Sequence, residues 1–252
     1  MEKNVQYMNA SYWDDRFKRE EKYEWLASFQ ELSDFLLPQL AKTDKILIPG
    51  CGNSRLAFDL YEHGYRNITC LDFAPSLIER LKTECFTKYR NMQFVCSDIR
   101  DLSQFPASSF DVVIGTSKKA TLDTLLVGEG DPWEISDTGA KDLHDCLNEI
   151  SRILTSTGRF LSISFSQPHF RVPEYSKPNY NWDVIVHRFG LNFHYFFYAM
   201  TKGRSPNFTL LDSYFYPKRN AEKYRRTPKD TSNLCNGILY SDSEDFLFAI
   251  NT

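Results

Sequence analysis

The chain has 252 residues, of which 42% are hydrophobic and 15% aromatic, enough apolar material for a sizeable core. Its 25% charged residues and formal net charge of −3 exclude the strongly basic surface of a typical nucleic-acid-binding protein. The cysteines form no C-x-x-C pair and no metal-ligand spacing, so we expect reduced, intracellular thiols and no metal site. The six are Cys51, Cys70, Cys85, Cys96, Cys146 and Cys235.

Neither a leader nor a membrane span is predicted. The first residues lack an apolar core region, and the longest apolar run, Phe193 to Met200, is too short to cross a bilayer. We find no linker and expect one domain over residues 1–252. We therefore expect a monomeric protein of the cytoplasm that contacts neither membrane nor nucleic acid directly.

From the N-terminus, a helical stretch is predicted from Trp13 to about Gln39, followed by alternating strands and helices. Pro75 suits the first turn of one helix, and Gly158 suits the end of another. This alternation predicts a parallel sheet wound with βαβ units. The predicted strands cover 45–49, 68–72, 92–96, 110–115 and 158–164, and the predicted helices 54–63, 75–88 and 139–154.

The pattern changes after Pro168. Residues 169–190 are rich in Pro, Tyr and Trp without clear periodicity. Phe193 to Met200 is predicted to be a long strand, and residues 244–251 a last strand that pairs antiparallel with it. A parallel core finished by an antiparallel pair predicts a seven-stranded, Rossmann-like α/β fold, as in class I methyltransferases.

A glycine turn follows the first predicted strand. Ile46 to Ile48 are apolar, as in strands covered on both faces, and Gly50, Cys51 and Gly52 then allow a sharp turn close to a ligand. A dinucleotide site would have a third glycine where Arg55 stands. S-adenosylmethionine carries no phosphate and tolerates this less regular turn. An ordinary strand-to-helix turn is the alternative.

Carboxylates follow the next two predicted strands. Asp72 ends the second strand, where it can accept both hydroxyls of a ribose. Asp98 follows the third strand and could accept from an adenine amino group, with Ile99 against the ring. Alternatively, Asp98 only caps a turn, and Asp111 at the fourth strand has no role. The combined pattern predicts S-adenosylmethionine as cofactor.

Five stretches carry a resemblance to a known family. Together they resemble the methyltransferase-like proteins that modify lysine on translation elongation factor 1-alpha. The resemblance implies a protein-lysine methyltransferase with that factor as substrate, an N-terminal helical cofactor cover at 1–40, and substrate-side insertions at 169–190 and 204–243. The stretches are Tyr12–Phe17, Tyr23–Trp25, Ile48–Ser54, Thr121–Asp123 with Gly128–Trp133, and Pro168–Arg171.

The resemblance also implies roles for individual residues. The cofactor would be covered by three aromatic rings, contacted at its methionine part by Gly50, and held at ribose and adenine by acidic and apolar side chains. Phe17 stands where the family usually has tyrosine, so one hydroxyl contact is lost. Core packing is the alternative for Trp13 and Trp25. The implied cofactor contacts are Trp13, Phe17, Trp25, Gly50, Asp72, Phe73, Asp98, Ile99 and Lys119.

One loop departs from the family. Gly115 to Lys118 replace a single acidic residue beside the methyl-transfer site, so an ammonium-orienting carboxylate is lost and a lysine is added. A catalytically weak cofactor-binding protein and a small-molecule methyltransferase therefore remain alternatives. His169 could accept the proton of the substrate amine, or be a bystander in a loop. The candidate pocket walls are Thr121, Asp123, Trp133, Phe165, His169, Phe170, Tyr175 and Tyr180.

Overall fold

The computed structural model describes residues 9–19, 28–117, 122, 137–190 and 194–205. Helices and strands alternate along these ranges, with short 3₁₀ turns at Leu37–Gln39 and Pro178–Tyr180. The helices are α1 Ala10–Phe17, α2 Phe29–Leu36, α3 Leu56–Glu62, α4 Pro75–Cys85, α5 Asp137–Ile153 and α6 Pro168–Tyr175. The strands are β1 Lys45–Pro49, β2 Asn67–Asp72, β3 Gln93–Cys96, β4 Phe110–Ser117, β5 Leu154–Ser164, β6 Ile185–Phe189 and β7 Tyr195–Thr201.

The seven strands form one sheet in the order β3-β2-β1-β4-β5-β7-β6. Strands β1 to β5 pair in parallel, and β7 runs antiparallel to both of its neighbours. The chain leaves β1 towards β2 on one side and later returns to β4 on the other. The carboxyl end of β1 therefore lies at the switch point of the sheet, where open α/β folds bind ligands.

Apolar residues alternate between the two faces of the sheet because successive strand side chains point to opposite sides. Ile46 and Ile48 belong to a core shared with buried residues of α1 to α4. Leu47, between them, belongs to a second core shared with α5 and α6. Helices thus cover both faces, which explains why β1 is buried from its second residue onward.

The predicted fold class is confirmed, with differences at particular elements. The predicted N-terminal helix is two helices: α1 ends at Phe17 and α2 starts at Phe29. The segment 169–190, predicted to be irregular, contains α6 and β6. Strand β5 starts at Leu154, before Gly158, through pairing of Leu154 with Phe110.

The partner predicted for strand 193–200 is wrong. This strand is β7, and it pairs with β5 on one edge and β6 on the other. Neither edge of β7 is therefore open to residues 244–251, which lie outside the described residues.

The departure from the family at 115–118 is only partly a loop. Strand β4 continues to Ser117, with Gly115 opposite Ser162 and Ser117 opposite Ser164 of β5. A methyl group on Gly115 would lie 3.3 Å from Cε2 of the buried Phe160. The glycine thus permits close packing rather than flexibility. Lys118 lies outside the described residues.

Across the described ranges, every helix is too short or too polar to span a bilayer.

Candidate functional site

The turn after β1 adopts a backbone that favours glycine. Gly50 has φ 62° and Gly52 has φ 51°, both in the left-handed region where other residues are strained. The N–H of Cys51 donates to the carbonyl of Leu71 at 3.0 Å, which ties the turn to β2. The turn therefore lies beside the carboxyl ends of β1 and β2.

Asp72, the last residue of β2, points its carboxylate into this turn. Its Oδ2 accepts from the N–H of Gly52 at 2.9 Å, and its Oδ1 accepts from the N–H of Ala74 at 3.1 Å. The residue is only 3% exposed. Burial raises the pKa of Asp72 to about 6, although hydrogen bonds from the backbone N–H groups of Ala74, Gly52 and Phe73 oppose this rise. A carboxylate has about four acceptor positions, so Asp72 can still accept from a ligand.

The end of β3 lies next to Asp72, because the N–H of Ser97 donates to the Asp72 carbonyl at 3.0 Å. This brings the half-buried Asp98 and the buried Ile99 to the same edge of the sheet. Ile99 packs in the second core, in the same cluster as Leu71. The structure thus brings the two predicted carboxylates together.

Arg100 holds the carboxylate of Asp98 and was missed by the sequence reasoning. Its Nη2 and Nε donate to Asp98 at 2.8 and 3.1 Å, and its backbone N–H donates at 2.9 Å. Burial would raise the pKa of Asp98, but these bonds outweigh burial and lower it. An adenine amino group would therefore share Asp98 with Arg100. The arginine two residues after the aspartate was the available sequence signal.

Trp13 and Phe17 of α1 are both buried. They are 2% and 3% exposed, their ring centroids lie 5.5 Å apart at 27°, and both belong to the first core. Core packing is therefore part of their role. Helix α1 packs on α4, which begins two residues after Phe73, so both aromatics lie on the element beside the Asp72 turn. Trp25 and Lys119 lie outside the described residues.

The structure describes only part of the side of the site where methyl transfer is predicted. Thr121, Asp123 and Trp133 lie outside the described residues. Three of the predicted pocket-wall residues follow the end of β5. The ring of Phe165 lies 5.1 Å from that of Tyr195, and the rings of His169 and Phe170 lie 4.0 Å apart. His169 belongs to the first turn of α6, not to a loop.

The prediction that Tyr175 and Tyr180 line the pocket is wrong. Tyr175 and Tyr180 have no exposed surface and pack in the second core. The hydroxyl of Tyr175 hydrogen-bonds Ser162 at 3.0 Å, and the carbonyl of Tyr180 accepts from Ser151 near the end of α5. Helix α6 packs on the face of the sheet that carries the second core. Both tyrosines are therefore structural.

Comparisons with known proteins agree with this geometry. The methyltransferase domain family matches residues 40–197. The EEF1A lysine methyltransferase 4 of Mus musculus is 35% identical over 252 residues, covering 99% of this chain and 94% of that protein. The eEF1A lysine and N-terminal methyltransferase of Homo sapiens is 31% identical over 188 residues, covering 73% of this chain and 25% of that protein.

A solved structure has the same fold. The 1,6-didemethyltoxoflavin-N1-methyltransferase of Burkholderia thailandensis, solved with its substrate and S-adenosylhomocysteine, superposes with a TM-score of 0.52 at 18% identity. The match covers 79% of this chain and 88% of that one. From the sequence matches, the chain belongs to the methyltransferase domain family, in the group of EEF1A lysine methyltransferase 4.

Proposed function

We propose that this chain is an S-adenosylmethionine-dependent protein-lysine N-methyltransferase that acts on translation elongation factor 1-alpha. The observation that carries the proposal is 35% identity over almost the whole chain to a protein named for that activity. The buried Asp72 in a glycine turn at the switch point supports the cofactor part independently.

The residues of the turn fit S-adenosylmethionine. Asp72 is held by peptide N–H groups and keeps acceptor capacity for ribose hydroxyls. Arg55, where a phosphate-binding turn would have its third glycine, suits a cofactor without phosphate. When bound, the cofactor supplies a methyl group on a positively charged sulfur. We assign its contacts to Trp13, Phe17, Trp25, Gly50, Cys51, Gly52, Asp72, Phe73, Asp98, Ile99 and Lys119.

The protein contributes alignment and desolvation to methyl transfer. A lysine nitrogen held in line with the methyl group gains chiefly from proximity and orientation. The amine must be neutral to attack, and a partly dry pocket lowers its pKa. Phe165, directly after β5, and Phe170, in α6, would exclude water there, and His169 is our candidate to accept the proton. Thr121 and Asp123 remain assigned to the same side of the site.

Incubation of the purified chain with methyl-labelled cofactor and elongation factor 1-alpha tests the proposal. We expect label on a lysine of the factor, located by mass spectrometry, and a strong reduction with Asp72→Ala. Label in a small-molecule fraction instead would indicate a small-molecule methyltransferase. Cofactor binding without transfer to the factor or to any lysate component would favour the weak cofactor-binding alternative, which the lost acidic residue at 115–118 motivates.

A further inference from the structure

Helix α4 starts two residues after Phe73, and its first turn is capped by a distant residue. Ala74, which precedes the helix, has no side-chain acceptor. Instead, Oδ1 of Asp14 in α1 accepts from the N–H of Ser76 at 2.9 Å and from its hydroxyl at 2.5 Å. The carboxylate thus pairs an N–H group that helix starts leave without an intrahelical partner. The Ser76 hydrogen bond also lowers the pKa of Asp14, which is therefore ionised at neutral pH.

A second polar contact holds the C-terminal end of α1. Nη1 of Arg80 in α4 donates to the carbonyl of Phe17 at 2.7 Å. On the same helix, Trp13 and Phe17 are buried in the first core. Helix α1 has eight residues, fewer than the roughly 12–15 that an isolated helix needs to be even marginally stable. Its position therefore depends on these contacts with α4.

We propose that Asp14 is a positioning residue for the cofactor. This inference rests on the proposed function. Asp72 accepts a hydrogen bond from the N–H of Ala74, and Asp14 accepts one from the N–H of Ser76. Two carboxylates therefore hold the start of α4. Loss of Asp14 would release α1, and with it Trp13 and Phe17, while Asp72 keeps its backbone donors. Cofactor affinity would fall, and the aligned methyl-transfer step would be unchanged.

The test compares Asp14→Ala with Asp15→Ala. Asp15 is the next residue of the same helix, its side chain is 70% exposed and contacts Lys18, and its loss changes the net charge equally. We expect Asp14→Ala to raise the KM for S-adenosylmethionine and the Kd for S-adenosylhomocysteine about tenfold. We expect kcat to stay within about twofold, as for an interaction equal in ground and transition states. Asp14→Asn, which keeps an acceptor oxygen, should recover part of the affinity.

Hydrogen exchange of the ligand-free protein provides the second measurement. Asp14→Ala should speed exchange at the Ser76 amide and in α1, and Asp15→Ala should not. If wild type binds no S-adenosylhomocysteine, the proposed function fails and the inference fails with it. If wild type binds and Asp14→Ala has the affinity of Asp15→Ala, the inference alone is wrong, whatever the exchange shows. If Asp14→Ala does not fold, the same measurements on Asp14→Asn and Arg80→Gln test the inference.

Discussion

At the scale of single residues, Asp72 combines two opposing effects. A buried carboxylate is costly unless it is hydrogen-bonded, and the backbone donors of Gly52 and Ala74 reduce that cost only in part, since the pKa remains raised at about 6. A ligand hydroxyl would supply the missing donors. The ionised carboxylate is thus less stable in the free protein than it would be in a complex with a ribose.

Replacing Asp72 by alanine should weaken binding of S-adenosylhomocysteine by roughly one to two decades. Hydrogen bonds to a charged group contribute about 1.5–3 kcal/mol each to stability or binding. Calorimetry of the folded variant measures the change. Asp101→Ala, which removes an exposed carboxylate after the neighbouring strand β3, is the control and should bind as wild type does. Equal affinity of both variants would contradict the assignment of Asp72.

The raised pKa of Asp72 predicts opposite pH trends for stability and binding. Because the folded chain holds this proton more tightly than the unfolded chain, whose value is 3.8, the contribution to stability is complete below pH 3.8 and lost as pH rises through 6. Between pH 5 and 8, wild type should lose about 1.4 kcal/mol of unfolding free energy relative to Asp72→Asn. Cofactor affinity of wild type should rise over the same range, because the ionised carboxylate accepts hydroxyls better.

Urea unfolding at the two pH values, with and without S-adenosylhomocysteine, measures both trends. Parallel pH curves for wild type and Asp72→Asn would mean that Asp72 titrates at its ordinary value and that burial does not perturb it.

At the scale of elements, α2 starts with a reciprocal cap. The N–H of Ser28 donates to Glu31 at 2.8 Å, and the hydroxyl of Ser28 accepts from the N–H of Glu31 at 3.4 Å. Leu32 and Leu36 then bury the inner side of the helix in the first core. The cap fixes where the helix begins, directly after the 20–27 segment that carries the predicted cofactor contact Trp25.

Ser28→Ala should destabilise the protein by about 1 kcal/mol through loss of this cap. Ser33→Ala, in the same helix, removes only a hydroxyl that donates to the carbonyl of Gln30 and should be neutral or slightly stabilising. Chemical unfolding of the three proteins measures the difference. Equal stability of the two variants would show that the cap contributes nothing to α2.

At the scale of the whole molecule, the proposed cofactor site joins elements on the side of the switch point that holds β1, β2 and β3. The α1–α4 contact, the β1 turn and the ends of β2 and β3 are distant in sequence and meet at one edge of the sheet. A ligand bound there would contact folded structure that does not exist in the unfolded chain. Binding should therefore stabilise the entire domain.

Saturation with S-adenosylhomocysteine at about 100 times its Kd should stabilise the folded state by about 2.7 kcal/mol. For a domain of this size we expect a rise in Tm of roughly 5–10 °C. Differential scanning calorimetry measures it, with Asp72→Ala as the variant that should show a much smaller shift at the same ligand concentration. An unchanged Tm for wild type would contradict cofactor binding.

The sequence predicted β1 and β2 closely because their apolar runs are buried on both faces and leave little choice of structure. It missed β6, since Ile185 to Phe189 is a largely exposed strand at the sheet edge without such a run. It also ended β4 too early, because Gly115 and Ser117 are typical of loops and only pairing with β5 keeps them extended.

The candidate site likewise has features that the sequence predicts and features that it does not. Asp72 was predictable because the end of a strand fixes where its side chain lies. The hydrogen bond from Arg100 to Asp98 depends on side-chain placement. The hydrogen bond from Ser76 to Asp14 depends on a tertiary contact between two helices. Spacing alone cannot show which donors reach a carboxylate.

The backbone donors of Asp72 have a consequence for how the protein can evolve. They are the peptide N–H groups of Gly52, Phe73 and Ala74, so among the natural substitutions only proline at one of these positions would delete a donor outright. Residue 52 is held to glycine by its backbone angle, and residue 74 is held to a small side chain by its burial in the first core. Changes at these two positions are thus limited by the fold of the turn and by core packing, whereas the hydrogen bonds to Asp72 need only the peptide backbone.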